Sequence, residues 1–148
     1  MKYYFGFLMC LAMGANALDQ EIVEEILEEI QRVGVECIKE TSAAQSDIAE
    51  LMAKKMPSTH EGKCMLFCFS KHYNMMNDDG SLVANGIESW EKIKNNDAEL
   101  YEKIVQIHKT CHDSAVIDED PCETATGLAK CGMEEARKAG LHEQFAEF

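Results

Sequence analysis

Apolar residues recur along most of this chain at the three- and four-residue spacing of an amphipathic helix, and strand-like alternation is almost absent. In the first such stretch, over residues 19–39, the apolar residues form one stripe and glutamates occupy the opposite face. The stripe consists of Ile22, Val23, Ile26, Leu27, Ile30, Val33 and Cys37. The pattern therefore predicts an all-α protein.

Capping residues divide the remainder of the chain into further helices. Ser46 is positioned to cap a second helix that runs through Met56, where Pro57 ends it. The sequence STHE at residues 58–61 has the spacing of a capping box and predicts the start of a third helix. Three more starts are predicted near Asn85, Asn96 and Asp120, the last with Pro121 at its first helical position. Gly140 is predicted to end the last of about six helices.

The first 17 residues have a different character from the rest. Lys2 precedes an apolar run over residues 5–13, and Ala15, Asn16 and Ala17 offer a small-x-small cleavage site. The run is shorter than the ~20 apolar residues that span a bilayer. We therefore predict a signal peptide over residues 1–17 and a single helical domain over residues 18–148, secreted to the extracellular space without stable membrane insertion.

Acidic residues dominate the charge of the mature chain. Without Lys2 it has 13 basic and 27 acidic residues, and the basic residues form no cluster. Nucleic acids and anionic membranes are bound through clustered basic surface. We therefore expect no nucleic-acid partner.

Six cysteines remain after the signal peptide, and they predict three disulfides with 15 conceivable pairings. They are Cys37, Cys64, Cys68, Cys111, Cys122 and Cys131. Cys64 and Cys68 lie four positions apart on the third helix, which separates their Cβ atoms by ~5–6 Å. A disulfide needs about 3.5–4.5 Å. The two cysteines therefore point the same way but pair with different segments.

The intervals between these cysteines are 26, 3, 42, 10 and 8 residues. In an acidic, helical chain with a signal peptide, this series resembles the insect odorant-binding protein family, in its six-cysteine pheromone and general odorant-binding class. The resemblance implies the pairs Cys37–Cys68, Cys64–Cys122 and Cys111–Cys131, with the helices around an internal hydrophobic cavity. It also implies a carrier that takes up and releases an odorant, pheromone or fatty-acid-like molecule, as a monomer or weak homodimer, with a membrane olfactory receptor as a candidate partner.

Candidate ligand contacts are flexible methionines and aromatic residues on predicted inner faces. Methionine is over-used at surfaces that accept varied ligands, although ordinary core filling is the alternative for each one. The tail after Gly140 is short and carries apolar residues, so we predict that it folds over the cavity mouth as a lid, with a solvated terminus as the alternative. The predicted ligand contacts are Met52, Met56, Met65, Phe69, Met76, Trp90, Phe145 and Phe148. Polar groups that give specificity are sought at Tyr73, Ser70 and Tyr101.

Other functions compete with the carrier interpretation. His108, Cys111 and His112 lie close together in sequence, but disulfides are the better use of cysteines in an oxidising compartment, so we predict no metal site or cofactor. No catalytic grouping stands out, so we predict no enzyme. The histidines are candidate pH sensors that favour release on acidification. A saposin-like or cytokine-like secreted module that interacts with lipid or a protein partner remains the alternative function.

Overall fold

A computed structural model of the protein describes residues 18–86 and 90–141. Within these ranges the chain forms six α-helices and no strand, which confirms the predicted all-α fold. The helices are α1 (Gln20–Thr41), α2 (Gln45–Met52), α3 (His60–His72), α4 (Glu91–Asn96), α5 (Ala98–Asp113) and α6 (Pro121–Lys138). In the described part of the chain, none of them combines the length and apolar character needed to cross a membrane. The predicted signal peptide lies outside the described residues.

Two helix starts follow from side chains that accept backbone amides. The Asp97 side chain accepts a hydrogen bond from the amide of Leu100 and begins α5. The Asp120 side chain accepts from the amide of Cys122 and begins α6, with Pro121 at the first helical position. After α6, Gly140 takes a positive φ of 74°, the left-handed geometry that terminates many helices. The start at Asp120 and the end at Gly140 are where the sequence predicts them, whereas the cap of α5 is Asp97 rather than the predicted Asn96.

The boundaries of α2 and α3 differ from the sequence prediction. The amide and hydroxyl of Ser58 both donate to the Glu50 carboxylate, so Thr59 caps α3 instead and accepts from the amide of Gly62. Helix α2 ends at Met52 rather than Met56, because Lys54 adopts a left-handed φ of 60°. Ser46 lies inside α2 and is not its cap.

Three disulfides join the helices, and they are the pairs that the family resemblance implies. Cys37–Cys68 links α1 to α3, Cys64–Cys122 links α3 to α6, and Cys111–Cys131 links α5 to α6. Cys64 and Cys68 indeed reach different helices. Helix α3 is consequently fixed to two other helices from one of its faces.

Buried apolar residues form two clusters at different places in the fold. The first core cluster lies among α1, α2 and α3 and contains Val33, Cys37, Ala43, Met65 and Cys68. The second core cluster contains Ile93, Leu100 and Leu141, with Leu18, Ile26, Trp90, Tyr101, Ile104, Ile107 and Ala136 packed against it. Leu141, the last described residue, is only 2% exposed, so the end of the described chain is anchored in the second cluster.

Candidate functional site

An apolar pocket of about 220 Å³ lies where α5, α6 and the loop after α3 meet. Its walls are almost entirely apolar, and it is partly open to solvent. The lining residues of this apolar pocket are Met75, Leu82, Trp90, Ile104, Ile107, His108, Cys111, His112, Leu128 and Gly132. A concave apolar site with few polar groups is the usual form of a small-molecule binding site.

Helical spacing places the α5 and α6 residues on facing walls. Ile104, Ile107, His108 and Cys111 recur at three- and four-residue intervals, which puts them on one face of α5. Leu128 and Gly132 are four apart on α6. Because the Cys111 sulfur is bonded to Cys131 of α6, the two helices are covalently joined beside the pocket.

The loop after α3 supplies the third wall. An isolated β-bridge pairs Met76 with Leu82, and the amide of Val83 donates to the carbonyl of Met75 at 3.0 Å. Gly80 makes the turn with a φ of 83° and lies against Pro121, where a Cβ would approach the proline ring to 2.8 Å. The loop is therefore held against the start of α6, with Met75 and Leu82 in the pocket wall.

Two histidines are the titratable groups in the pocket wall. The rings of His108 and His112 lie 6.0 Å apart, and His112 Nδ1 is 3.4 Å from the Asp113 carboxylate. Burial lowers the pKa of His108, and the neighbouring His112 lowers it further. The neutral imidazole is thus the favoured form at the pocket. Both histidines also line a more polar groove of about 450 Å³, together with Lys109 and others.

Trp90 separates the apolar pocket from the first core cluster. It lines the pocket, and its indole meets the Tyr73 ring edge-on with the ring centroids 6.3 Å apart. Tyr73 in turn stacks on Phe69 at 6.3 Å. The Tyr73 hydroxyl is buried and has no hydrogen-bond partner among the described residues.

Among the predicted ligand contacts that the structure describes, Trp90 alone lines the apolar pocket. Met65 is buried in the first core cluster, and Phe69 packs against that cluster. Met76 is buried next to the pocket residue Met75.

The remaining predicted contacts lie away from the pocket or beyond the described chain. Met52 is 66% exposed on α2, and Met56 is half-buried in the segment that follows that helix. Phe145 and Phe148 lie outside the described residues.

The ligand contacts predicted from the sequence do not include most residues of the pocket wall. The residues missed are Met75, Leu82, Ile104, Ile107, His108, Cys111, His112, Leu128 and Gly132. Gly132 was the available signal, because a glycine within a helix lowers stability and usually has a packing or functional reason. A Cβ built at Gly132 meets nothing within 4 Å, so the reason here is open space rather than close packing.

Two clusters of histidine and cysteine in the described chain have the proximity of metal ligands. They are Cys37, Cys68 and His72, and His60, Cys64 and Cys122. The cysteines of both clusters are bonded in disulfides and offer no thiolate. The histidines have acidic neighbours, Glu36 beside His72 and Asp120 beside His60.

Comparison with known proteins agrees with the fold and the disulfide pattern. The model of the PBP/GOBP family matches residues 19–135, most of the described chain. The chain belongs to the PBP/GOBP family. Members of this odorant-binding family are secreted proteins that bind small hydrophobic ligands and are not enzymes.

Individual relatives cover nearly all of this odorant-binding-family chain. General odorant-binding protein 19d of Drosophila melanogaster is 27% identical over 135 residues, 90% of this chain and 87% of its own. General odorant-binding protein 28a of the same species is 30% identical over 119 residues, 80% of this chain and 82% of its own. The solved structure of odorant-binding protein dmelOBP28a from D. melanogaster superposes with a TM-score of 0.66 at 28% identity, covering 80% of this chain and 98% of that one.

Proposed function

We propose that this protein is a carrier that binds one small hydrophobic molecule in the apolar pocket, releases it reversibly and delivers it to a membrane receptor. The observation that carries the proposal is the pocket itself, whose walls offer apolar side chains from α5, α6 and the loop after α3, with two histidines of α5 among them. Pockets for drug-sized ligands measure about 300–1,000 Å³. A volume of about 220 Å³ therefore favours a smaller guest, of the size of a volatile compound.

The energy available from such a pocket suits reversible capture. A ligand that loses ~300 Å² of apolar surface at ~25 cal/mol per Å² gains about 7 kcal/mol before ordering costs are subtracted. That gain corresponds to affinities near the micromolar range. A carrier needs this range because it must release what it binds.

Trp90 provides a direct test, since it is the only tryptophan in the sequence and lies in the pocket wall. The mature protein would be titrated with N-phenylnaphthylamine, an environment-sensitive hydrophobic dye, and then with unlabelled apolar competitors. We expect saturation at one dye per chain, a change in Trp90 fluorescence, and displacement by the competitors. Absence of saturable dye binding would contradict the carrier function and favour a module that acts on a lipid surface or a protein partner.

Secretion is part of this proposal. The family match begins at residue 19, and Leu18 packs against the second core cluster, and both observations support a mature chain that begins at the predicted cleavage site. We expect the protein recovered from the medium of expressing insect cells to begin at Leu18. A secreted chain that retains residues 1–17 would contradict the predicted cleavage.

We further propose that acidification weakens binding through His108. Among the described residues that line the two pockets together with His108, those from the loop, α4 and α6 are uncharged (Met75, Leu82, Asn85, Trp90 and Leu128), and the titratable ones are His112, Lys109, Asp113 and Tyr101 of its own helix. Its pKa is lowered on folding, so the neutral form is favoured and the unfolded chain takes up the proton more readily. The contribution of His108 to stability is therefore complete above about pH 6.5 and declines as the pH falls through its lowered folded-state pKa. Affinity should decline over the same range, because an apolar ligand against the ring removes water from it and disfavours the charged form.

The tail lid also remains a proposal, with Phe145 and Phe148 in contact with the ligand. It is supported by Leu141, a buried member of the second core cluster, against which Trp90, Ile104 and Ile107 of the pocket wall pack. The tail thus leaves the described chain next to the pocket. Truncation after Leu141 tests the lid without removing this core residue, and we expect faster ligand release. An unchanged release rate would reject it.

A further inference from the structure

The Tyr73 hydroxyl is an exception to the rule that buried polar groups are hydrogen-bonded. It is inaccessible to solvent and no described residue accepts its proton or donates to it. Burial raises the pKa of Tyr73, and the nearby Glu29 raises it further against a smaller opposing effect of Arg32, so the hydroxyl keeps its proton and remains a donor. An unsatisfied donor of this kind destabilises the empty protein.

The position of Tyr73 connects this donor to the apolar pocket. Its ring lies in the seam between the two core clusters, stacked on Phe69 on one side and edge-on to Trp90 on the other. Trp90 is half-buried at the start of the six-residue helix α4 and also lines the pocket. The indole is therefore in contact with both the Tyr73 ring and the pocket.

We propose that the Tyr73 hydroxyl is the specificity-determining donor for the ligand, reached when the Trp90 indole turns aside and the ligand's oxygen enters the seam. This inference rests on the proposed carrier function and names its ligand class. The ligand is a small apolar molecule with one hydrogen-bond acceptor, a carbonyl or hydroxyl oxygen. Among the described residues of the pocket wall, the two histidines and the indole N–H of Trp90 are the side-chain groups that could donate to that oxygen, and the others are apolar.

The inference predicts opposite effects on the empty and the occupied protein. Removing the hydroxyl from the empty protein removes an unsatisfied group, so Tyr73→Phe should unfold at the same temperature as the wild type or at a higher one. In the complex, the same change leaves the ligand's oxygen buried without a donor, so affinity should fall. A tyrosine that only packs in the core would not produce this pair of signs.

The experiment compares two ligands of one shape on matched Tyr→Phe variants. The ligands are methyl hexyl ketone and the alkene in which a methylene group replaces its carbonyl oxygen. The variants are Tyr73→Phe and Tyr101→Phe, since Tyr101 is the other tyrosine of the mature chain and its ring lies beneath Lys94. Dissociation constants from dye displacement and thermal midpoints of the empty proteins are measured for each.

We expect Tyr73→Phe to bind the ketone about tenfold more weakly than the wild type and the alkene equally well, with no loss of thermal stability. Tyr101→Phe should change neither affinity. Four results would each overturn the assignment. For Tyr73→Phe they are an equal loss of affinity for both ligands, an unchanged affinity for the ketone, or a lowered thermal midpoint of the empty protein. For Tyr101→Phe it is a loss of affinity for the ketone. If the wild type binds neither ligand, the carrier function itself fails and the inference fails with it.

Discussion

The region built from α1, α2 and α3 is filled with side chains, whereas the region between α5, α6 and the loop after α3 encloses a pocket of about 220 Å³. Both regions are built from amphipathic helices joined by a disulfide, Cys37–Cys68 in the first and Cys111–Cys131 in the second. They differ in the residues that face inward. Met65 and Phe69 occupy the filled region, while Gly132 leaves open space in the hollow one.

The comparison shows how a helical protein tolerates unfilled volume. An empty space beside a core costs stability in proportion to its size. Here covalent and ionic links fix the helices that border the pocket: α6 is bonded to α3 through Cys64–Cys122, and the Lys63 ammonium lies 2.7 Å from the Glu123 carboxylate at the same junction. The well-packed region of α1, α2 and α3 thus fixes the position of α6, one wall of the pocket.

The largest expected effect is on the filled region. Met65→Ala should lower the free energy of unfolding by about 2–5 kcal/mol, because Met65 is 2% exposed and its truncation leaves a cavity. Met52→Ala is the matched control, since the Met52 side chain is 66% exposed and contributes little buried area. Urea unfolding monitored by Trp90 fluorescence measures both. Equal losses for the two variants would show that the filled region is not the stabilising one.

A smaller loss is expected at the polar contact that joins α2 to α3. The Asp47 carboxylate is fully buried and accepts from the Ala44 amide at 2.8 Å and from the Thr59 hydroxyl at 2.7 Å. Asp47→Ala should cost about 1–3 kcal/mol in unfolding free energy, because both donors lose their acceptor.

The control for Asp47 is Asp79→Ala. Asp79 also accepts an amide and a hydroxyl, both from Ser81, but it lies in an exposed turn where water replaces the lost acceptor. Its unfolding free energy should remain close to that of the wild type. A greater loss for Asp79→Ala than for Asp47→Ala would contradict the importance of burial at this contact.

The smallest predicted effect concerns the hollow region and pH. Affinity for the dye should fall by up to about tenfold between pH 7 and pH 5, because burial already lowers the pKa of His108 and a ligand that excludes water from the ring further disfavours its charged form. His108→Gln should remove most of this dependence. His60→Gln should leave it intact, since the His60 side chain is 62% exposed and lies beside Asp120, away from the pocket. The same pH profile in His108→Gln and the wild type would reject the switch.

The sequence was informative about the fold because local rules decide it. Helical periodicity and the cap at Asp120 depend on neighbours in the chain, whereas the disulfide pairs are implied by the resemblance of the cysteine intervals to a known family. The cap of α5 lies one residue after the Asn96 that the sequence predicts. The errors at Ser58 and Met56 have a tertiary cause, since Glu50 takes both donors of Ser58 and leaves the cap to Thr59. A capping pattern cannot indicate which of two adjacent hydroxyl groups will donate a hydrogen bond to a carboxylate elsewhere in the fold and so be unable to cap the helix.

The pocket was harder to predict because hollow space is a property of how helices meet. Methionine content suggested Met65 and Met52, yet one fills the core and the other faces solvent. The sequence predicts Trp90 as a ligand contact because an aromatic residue on an inner helix face belongs either to the core or to the wall of a ligand site. In the structure Trp90 packs against the second core cluster and also lines the pocket. The buried hydroxyl of Tyr73 depends on the absence of partners, which only the folded structure reveals.

If the ligand occupies the space beside Gly132, as we propose, a side chain placed there should abolish binding. Gly132→Leu places a side chain in the pocket, whereas Gly127→Leu, also on α6 with nothing within 4 Å of its Cβ, places the same side chain on the exposed face. Both variants should be at least as stable as the wild type, because leucine favours a helix over glycine by up to about 1 kcal/mol. We predict that dye binding is lost in Gly132→Leu and retained in Gly127→Leu. Undiminished binding in Gly132→Leu would contradict the account.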